Sequence, residues 1–283
     1  MRDIKIHLLL FVMTVFSTLI AGSYFISEYN LLSEFPKHLL HGLAVGVPFA
    51  MPLMLILGGH EMAHYVNSRR HKVIATLPYF IPFPNLFGTL GAVIKMKSRI
   101  RDKSALIDIG ASGPIVGFIL SVIVCSIGLS MSHIVPAHPP ASGQTVLGGS
   151  LIYRFLMSIF LKGDIHNHAV DLNPVAVAGW VGLFVTSINL MPVGQLDGGH
   201  VSYAFFTKRH RIISNIFVGA LIVMGLGFPG WFIWGVLLLF LGTKHPPVEN
   251  PYEPLDWKRR AVGIFSLLIF IVTFTPVPIV ITP

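Results

Sequence analysis

The sequence predicts an all-α polytopic membrane protein of about six to seven transmembrane helices, interrupted by one short membrane-embedded β-hairpin or re-entrant segment. Three observations predict it. Charged residues make up only 11% of the 283, less than half of the roughly 25% usual in a soluble chain. Hydrophobic residues make up 53% and gather in long runs, as in a chain whose solvent is lipid. The basic residues behind the net charge of +8 cluster just beyond those runs, where the positive-inside rule puts them. That placement argues against a nucleic-acid partner and for the lipid bilayer. The single cysteine, Cys125, lies inside an apolar run and excludes an internal disulfide framework.

The elements follow in order. Residues 4–26 form the first apolar run, behind Arg2 and Lys5; "LIAGSYFIS" offers no small-x-small cleavage site, so an uncleaved helix is expected. Residues 38–66 form the second, with a kink expected at Pro48 and Pro52. In residues 77–97, Pro78, Pro82, Pro84, Gly88 and Gly91 argue against a helix, and aromatic and β-branched residues flank a turn-like "PN". Extended backbone at membrane depth is tolerated only where protein covers it or it lines a cavity.

Residues 105–131 form a third span. The polar connection 132–171 holds a short apolar piece at 146–161, expected at the interface, and Asp164, His166 and His168, read as a solvated loop. A fourth span starts at "DLNP", where Asp171 or Asn173 can cap and Pro174 suits the first turn; it runs to Met191, ahead of Pro192 and Gly194. An apolar stretch to Leu241 is broken at "FPG", residues 228–230, which makes either a tight helical hairpin or one kinked helix, and a last one covers 261–280. If "FPG" is a turn and the amino terminus is cytoplasmic, the basic clusters at Arg2 and Lys5, 69–72, 95–103, 208–211 and 258–260 fall on one side. The chain reads as a single membrane domain over 1–283: a core at 38–210, an amino-terminal helix at 4–26 and carboxy-terminal helices at 211–283. No appended peptide-binding domain or internal repeat is visible.

The second run ends in "HEMAH", an H-E-x-x-H pattern. On a helix, His60 and His64 project from one face and reach one ion, with Glu61 beside it as a base. Zinc suits two imidazoles, a carboxylate and an open position. An unpaired carboxylate deep in a membrane costs about 2.5 kcal/mol or more on insertion scales, so the triplet needs a partner, and a cation supplies one. His64 and His60 precede Arg69 by five and nine residues, about 7 and 13 Å of helix. The ion would sit on the order of 10 Å inside a slab of half-thickness about 15 Å, nearer the cytoplasm.

A third ligand is needed, and Asp197 stands out in "NLMPVGQLDGGH", residues 189–200. Pro192, Gly194, Gly198 and Gly199 loosen the backbone and allow close approach. Counted back from Lys208, Asp197 lies up to about 16 Å deep, overlapping the histidines. His200 is a rival ligand; with water needed in fourth place it is assigned to the surroundings of the ion. Asn189 offers an amide donor near the metal, suited to an oxyanion.

"GGHEMAHY", "GASGPIVG" and "NLMPVGQLDGG" together resemble the site-2 protease family of intramembrane zinc metalloproteases, in order and spacing over about residues 40–210. The run "LPYFIPFP…FGTLGAVIKMKS" is similar to that family's extended segment, especially in homologues of the plastid type, and the chain as a whole resembles a plastid-type or prokaryotic homologue. The resemblance implies Zn2+ held by His60, His64 and Asp197, Glu61 as general base and acid, and Asn189 at the oxyanion. It implies transmembrane protein substrates and regulated intramembrane proteolysis. One departure is Gly117, where many members carry Asn. Cleavage of a helical substrate needs local unwinding, and 77–97 offers an edge for a substrate strand, with Phe83, Asn85 and Gly88 near it. A prokaryotic plasma membrane is expected, with the amino terminus and site opening toward the cytoplasm. The competing readings are an ion transporter or channel, which should show paired half-helices, and a zinc-binding scaffold without activity.

Overall fold

The computed structural model describes residues 2–25, 39–136, 145–161 and 168–281. Asp164 and His166 of the polar connection lie outside the described residues, as do Glu28, Glu34 and Lys37. The fold is mostly helical. Helix α1 spans Arg2–Ser23. Two of its threonines turn inward on the helix backbone: the Thr14 and Thr18 hydroxyls donate to the carbonyls of Leu10 and Thr14 at 2.8 Å. This is how a helix in lipid carries hydroxyls without an orphaned donor. Helix α2, Leu39–Arg70, runs unbroken through Pro48 and Pro52. The two helices cross at bare backbone, since a Cβ on Gly46 would lie 2.0 Å from the Leu19 carbonyl oxygen.

Strands β1, Tyr79–Pro82, and β2, Thr89–Val93, pair antiparallel, with a register irregularity between Phe80 and Pro82. Asn85 ties the turn: its Oδ1 accepts from the Phe87 amide at 3.0 Å and its Nδ2 donates to the Thr89 carbonyl at 3.0 Å. The hairpin lies on α1, where the Ser17 hydroxyl donates to the Gly88 carbonyl at 2.6 Å and Phe11 meets Phe80 edge to face at 5.1 Å.

Helix α3, Lys103–Ser130, is capped by Asp102, which accepts from the Ala105 amide at 2.8 Å. Short strands follow: β3, His133–Pro136, pairs β5, His168–Asp171, and β4, Thr145–Leu147, pairs β6, Ile279–Ile281. Helix α4, Leu151–Phe160, buries Tyr153 and Leu156 while exposing Leu151 and Phe155, the one-sided pattern expected of an interfacial piece. Helix α5, Pro174–Asn189, starts with Asn173 as its cap and Pro174 in its first turn. Helices α2, α3 and α5 form the centre, around Phe49, Leu53, Ile56, Cys125, Leu129 and Trp180. Their contacts are glycine-lined: a Cβ on Gly179 would lie 2.5 Å from the Cys125 amide, and one on Gly128 2.0 Å from that of Ala176.

Helix α6, Asp197–Phe206, is followed by α7, His210–Met224, α8, Pro229–Leu241, and α9, Trp257–Thr273. The "FPG" break makes a tight helical hairpin: Gly225 faces Phe232 and Gly235 faces Ile222, so α7 and α8 run antiparallel. Among the described residues three helices are long and apolar enough to cross a membrane: α1, α2 and α3. Helices α5, α7 and α8 are apolar but run 16, 15 and 13 residues, about 20–24 Å against a hydrocarbon core of about 30 Å. Of the six to seven passes expected, α1, α2 and α3 meet the length criterion among the described residues. The fourth apolar stretch ends ahead of Pro192 and Gly194, and Pro229 opens a separate helix, at the breaks the sequence marks.

Candidate metal centre

One turn of α2 sets His60 and His64 with ring centroids 4.8 Å apart, both about 4% exposed. Asp197 reaches them from a remote segment because of the corner between α5 and α6. There Gly198 packs on the Leu190 carbonyl, where a Cβ would lie 1.9 Å from the oxygen, and Gly199 packs on that of Gly194 at 2.5 Å. Gly194 itself has φ +53°, a conformation glycine adopts without strain. The folded-back corner places Asp197 in the first turn of α6, beside α2.

The three ligand atoms form a nearly equilateral triangle. Asp197 Oδ2 lies 3.1 Å from His60 Nε2 and 3.2 Å from His64 Nε2, and the two Nε2 atoms are 3.1 Å apart. Tetrahedral zinc with bonds of about 2.0–2.1 Å requires ligand separations of about 3.3 Å, so the triangle fits that ion. The donor chemistry agrees. His64 Nδ1 lies 2.7 Å from the Ile109 carbonyl and donates to it, so that in the neutral, metal-binding form of the ring the Nε2 lone pair is aimed at His60 and Asp197. Lone pairs converging at this distance call for a cation between them.

The third central helix completes the packing around the ligands. A Cβ on Gly113 would lie 2.1 Å from His64 Nε2, and one on Gly117 2.9 Å from His60 Nδ1. The departure noted at Gly117 is thus a bare face against a ligand ring. Asn189 Nδ2 lies 3.3 Å from His60 Nε2, beside the ligand triangle. Glu61 is 5% exposed, and its carboxylate faces the Ile94 amide just beyond β2.

A cavity of about 590 Å³ opens beside these groups, walled by Glu61, His64, Asn189 and Asp197 and, opposite, by Tyr79 and residues 92–96. The inner half of the hairpin therefore forms the wall. Lys95 and Lys97 turn their ladder groups toward Thr76 and Ile74, so in a strand of period two Ile94 and Met96 present theirs to the cavity side. The residues expected near a substrate, Phe83, Asn85 and Gly88, are not on this wall. The hairpin tip is drawn away to α1, where a Cβ on Gly88 would lie 2.3 Å from the Ser17 carbonyl oxygen. Sequence reasoning missed Tyr79, Ile94 and Gln195, which carry no motif of their own.

His200 lies on the cavity wall, outside the ligand triangle. Its Nδ1 is 2.6 Å from His245 Nε2, in the loop after α8. His245 Nδ1 donates to the Pro246 carbonyl at 2.6 Å, so its Nε2 accepts from His200 Nδ1–H.

Comparison with known proteins places this geometry. The chain is 30% identical to the probable zinc metalloprotease EGY1, chloroplastic, of Arabidopsis thaliana over 243 residues, 82% of this chain and 43% of that protein. It is 30% identical to the rice (Oryza sativa subsp. japonica) protein of the same name over 295 residues, 96% of this chain and 50% of that protein. It is 29% identical to the probable zinc metalloprotease EGY2, chloroplastic, of Oryza sativa subsp. indica over 277 residues, 94% of this chain and 49% of that protein. The chain spans about half the length of the curated relatives it matches. No solved structure matches it. The family model described as Peptidase family M50 matches residues 48–228, a stretch that carries His60, Glu61, His64, Asn189 and Asp197. The chain belongs to peptidase family M50, the site-2 proteases.

Proposed function

We propose that the chain is an intramembrane zinc endopeptidase that hydrolyses peptide bonds in or near transmembrane segments of membrane-protein substrates. The observation that carries this reading is the His60–His64–Asp197 triangle, with the buried Glu61 beside it, at the wall of a cavity on a membrane-length helix. Bound there, zinc would lower the pKa of a coordinated water toward about 7 and polarise a peptide carbonyl. Glu61 accepts the proton of the attacking water and returns it to the leaving amine, a general base turned general acid. The Asn189 amide donates to the oxyanion that develops on the carbonyl, a contact of the kind worth about 3 kcal/mol. An unwound substrate strand pairs along Ile94 and Met96, whose outward edge faces Glu61.

Topology follows from charge. With the basic clusters on one side, the amino terminus and the cavity mouth face the cytoplasm across a plasma membrane, prokaryotic in kind as the resemblance implies. The names of the relatives place those proteins in chloroplasts. The decisive experiment incubates the purified chain with tagged single-span substrates, with and without chelator. Chelator-sensitive cleavage that disappears in Glu61→Gln, with zinc retained, supports the reading. Ion movement or undiminished partner binding by that variant, without cleavage by the parent, overturns it.

A further inference from the structure

On the far side of α6 from the hairpin, a second cavity of about 550 Å³ runs between α6, α7 and α9. Its walls are hydrocarbon: Val201, Phe205, Ile213, Phe217, Leu267 and Phe270. The two hydroxyls that line it are turned to partners of their own, Ser266 donating to the Val262 carbonyl at 3.0 Å and Ser202 lying 3.3 Å from His210 Nδ1. At its inner end Phe217 and Phe270 meet edge to face at 5.8 Å.

At its other end the trough changes chemistry. Phe205 and Phe206 are shared with an open groove of about 510 Å³ whose cations are Lys103, Lys208 and Arg209. None of the three is ion-paired among the described residues. Tyr252, 91% exposed, stands at the same mouth. Three elements agree on direction: α6 read backward from Phe206, α7 from Ile213 to Phe217 and α9 from Gly263 to Phe270 all lead away from the basic end. The eight helical steps of α6 from Phe206 back to Gly198 give the trough a depth of about 12 Å.

We propose that this trough and its mouth bind one anionic phospholipid, an acyl chain between α6, α7 and α9 and the phosphate headgroup at Lys103, Lys208 and Arg209. An apolar slot that opens onto unpaired cations at a membrane interface matches both halves of that molecule, whereas the phosphate of a zwitterionic lipid is already balanced by the lipid's own cation and gains less from the three side chains. The assignment rests on insertion of the chain in a membrane and not on hydrolysis, so its failure and that of the proposed activity are separable.

The test is native mass spectrometry of the full chain in mild detergent, titrated with phosphatidylglycerol, phosphatidylcholine or glycerol phosphate. Phosphatidylglycerol should bind at least tenfold more tightly than phosphatidylcholine. The combined variant Lys103→Gln, Lys208→Gln and Arg209→Gln should weaken it on the order of a hundredfold, about fivefold per cation near a surface. Ile213→Trp fills the trough without touching a charge and should weaken it too; matching unfolding temperatures show that both variants fold. Equal binding of the two lipids, undiminished phosphatidylglycerol binding in either variant, or glycerol phosphate bound as tightly as the lipid overturns the assignment.

Discussion

Gly113 and His64 face each other so closely that a single methyl carbon on Gly113 would lie 2.1 Å from His64 Nε2. The ring cannot swing aside without giving up its 2.7 Å contact with the Ile109 carbonyl. Gly113→Ala is therefore expected to lower zinc affinity about 10- to 100-fold, the range seen when support around a ligand is lost. Metal content after dialysis against a zinc buffer measures it; full occupancy at the parent affinity would contradict the packing argument.

Asp197 joins two segments that are otherwise far apart in the chain, so metal binding stabilises the join. Zinc at 100 times its dissociation constant is expected to add about 2.7 kcal/mol to the folded state, read as a rise in unfolding temperature. Asp197→Asn should remove most of that rise, and His60→Ala nearly all of it. A parent chain whose unfolding temperature ignores zinc would count against the triangle as a metal site.

The Ile94 amide faces Glu61, and proline at 94 deletes that donor together with one rung of the cavity-side edge. Ile94→Pro is expected to reduce kcat/KM for a membrane substrate at least tenfold with zinc content unchanged. Gly88→Pro acts differently, because φ +76° is closed to proline and the residue is packed on α1. It should lower stability, and a selective effect on turnover would show that the tip meets substrate.

Asp108 accepts from Arg259 Nε at 3.0 Å and Nη2 at 2.7 Å and lies 2.9 Å from His71 Nε2. It clamps the start of α3 to the end of α2 and the start of α9. The groups are partly exposed, so Asp108→Asn is expected to cost about 1 kcal/mol. Denaturant or thermal unfolding reads it, and Arg259→Gln should cost a similar amount without adding to Asp108→Asn.

Burial pushes the His245 imidazole down to about 3, with repulsion from His200 adding to the effect. His200 and His210 face it from α6 and α7, and Tyr203 stacks on it at 4.3 Å. Unfolded, the imidazole takes up a proton near pH 6.5; folded, it stays neutral well below that. The unfolded state thus binds more protons in this window, and stability falls as pH drops from about 6.5 toward 3. His245→Asn should flatten that slope, as measured by unfolding temperature across the range.

Short-range features made much of this architecture legible. The helix pitch puts His60 and His64 on one face whatever surrounds them, and Asn173 and Pro174 mark a helix start through hydrogen bonds closed within three residues. The "FPG" turn and the one-sided α4 are equally local. The number of passes was less legible, because the apolar stretches after residue 171 fold as helices of 10 to 17 residues, shorter than a membrane-spanning length.

By itself, then, the sequence determined a lipid-solvated helical chain, an H-E-x-x-H helix and a glycine-loosened aspartate at matching depth, since periodicity and composition act over a few residues. Tertiary structure alone decided that the hairpin tip goes to Ser17 while Ile94 passes Glu61, that Gly113 abuts His64 and that His245 meets His200. Each of these contacts joins residues 33 to 71 positions apart. Such contacts are set by which surfaces remain uncovered once the helices pack, information that no single segment carries.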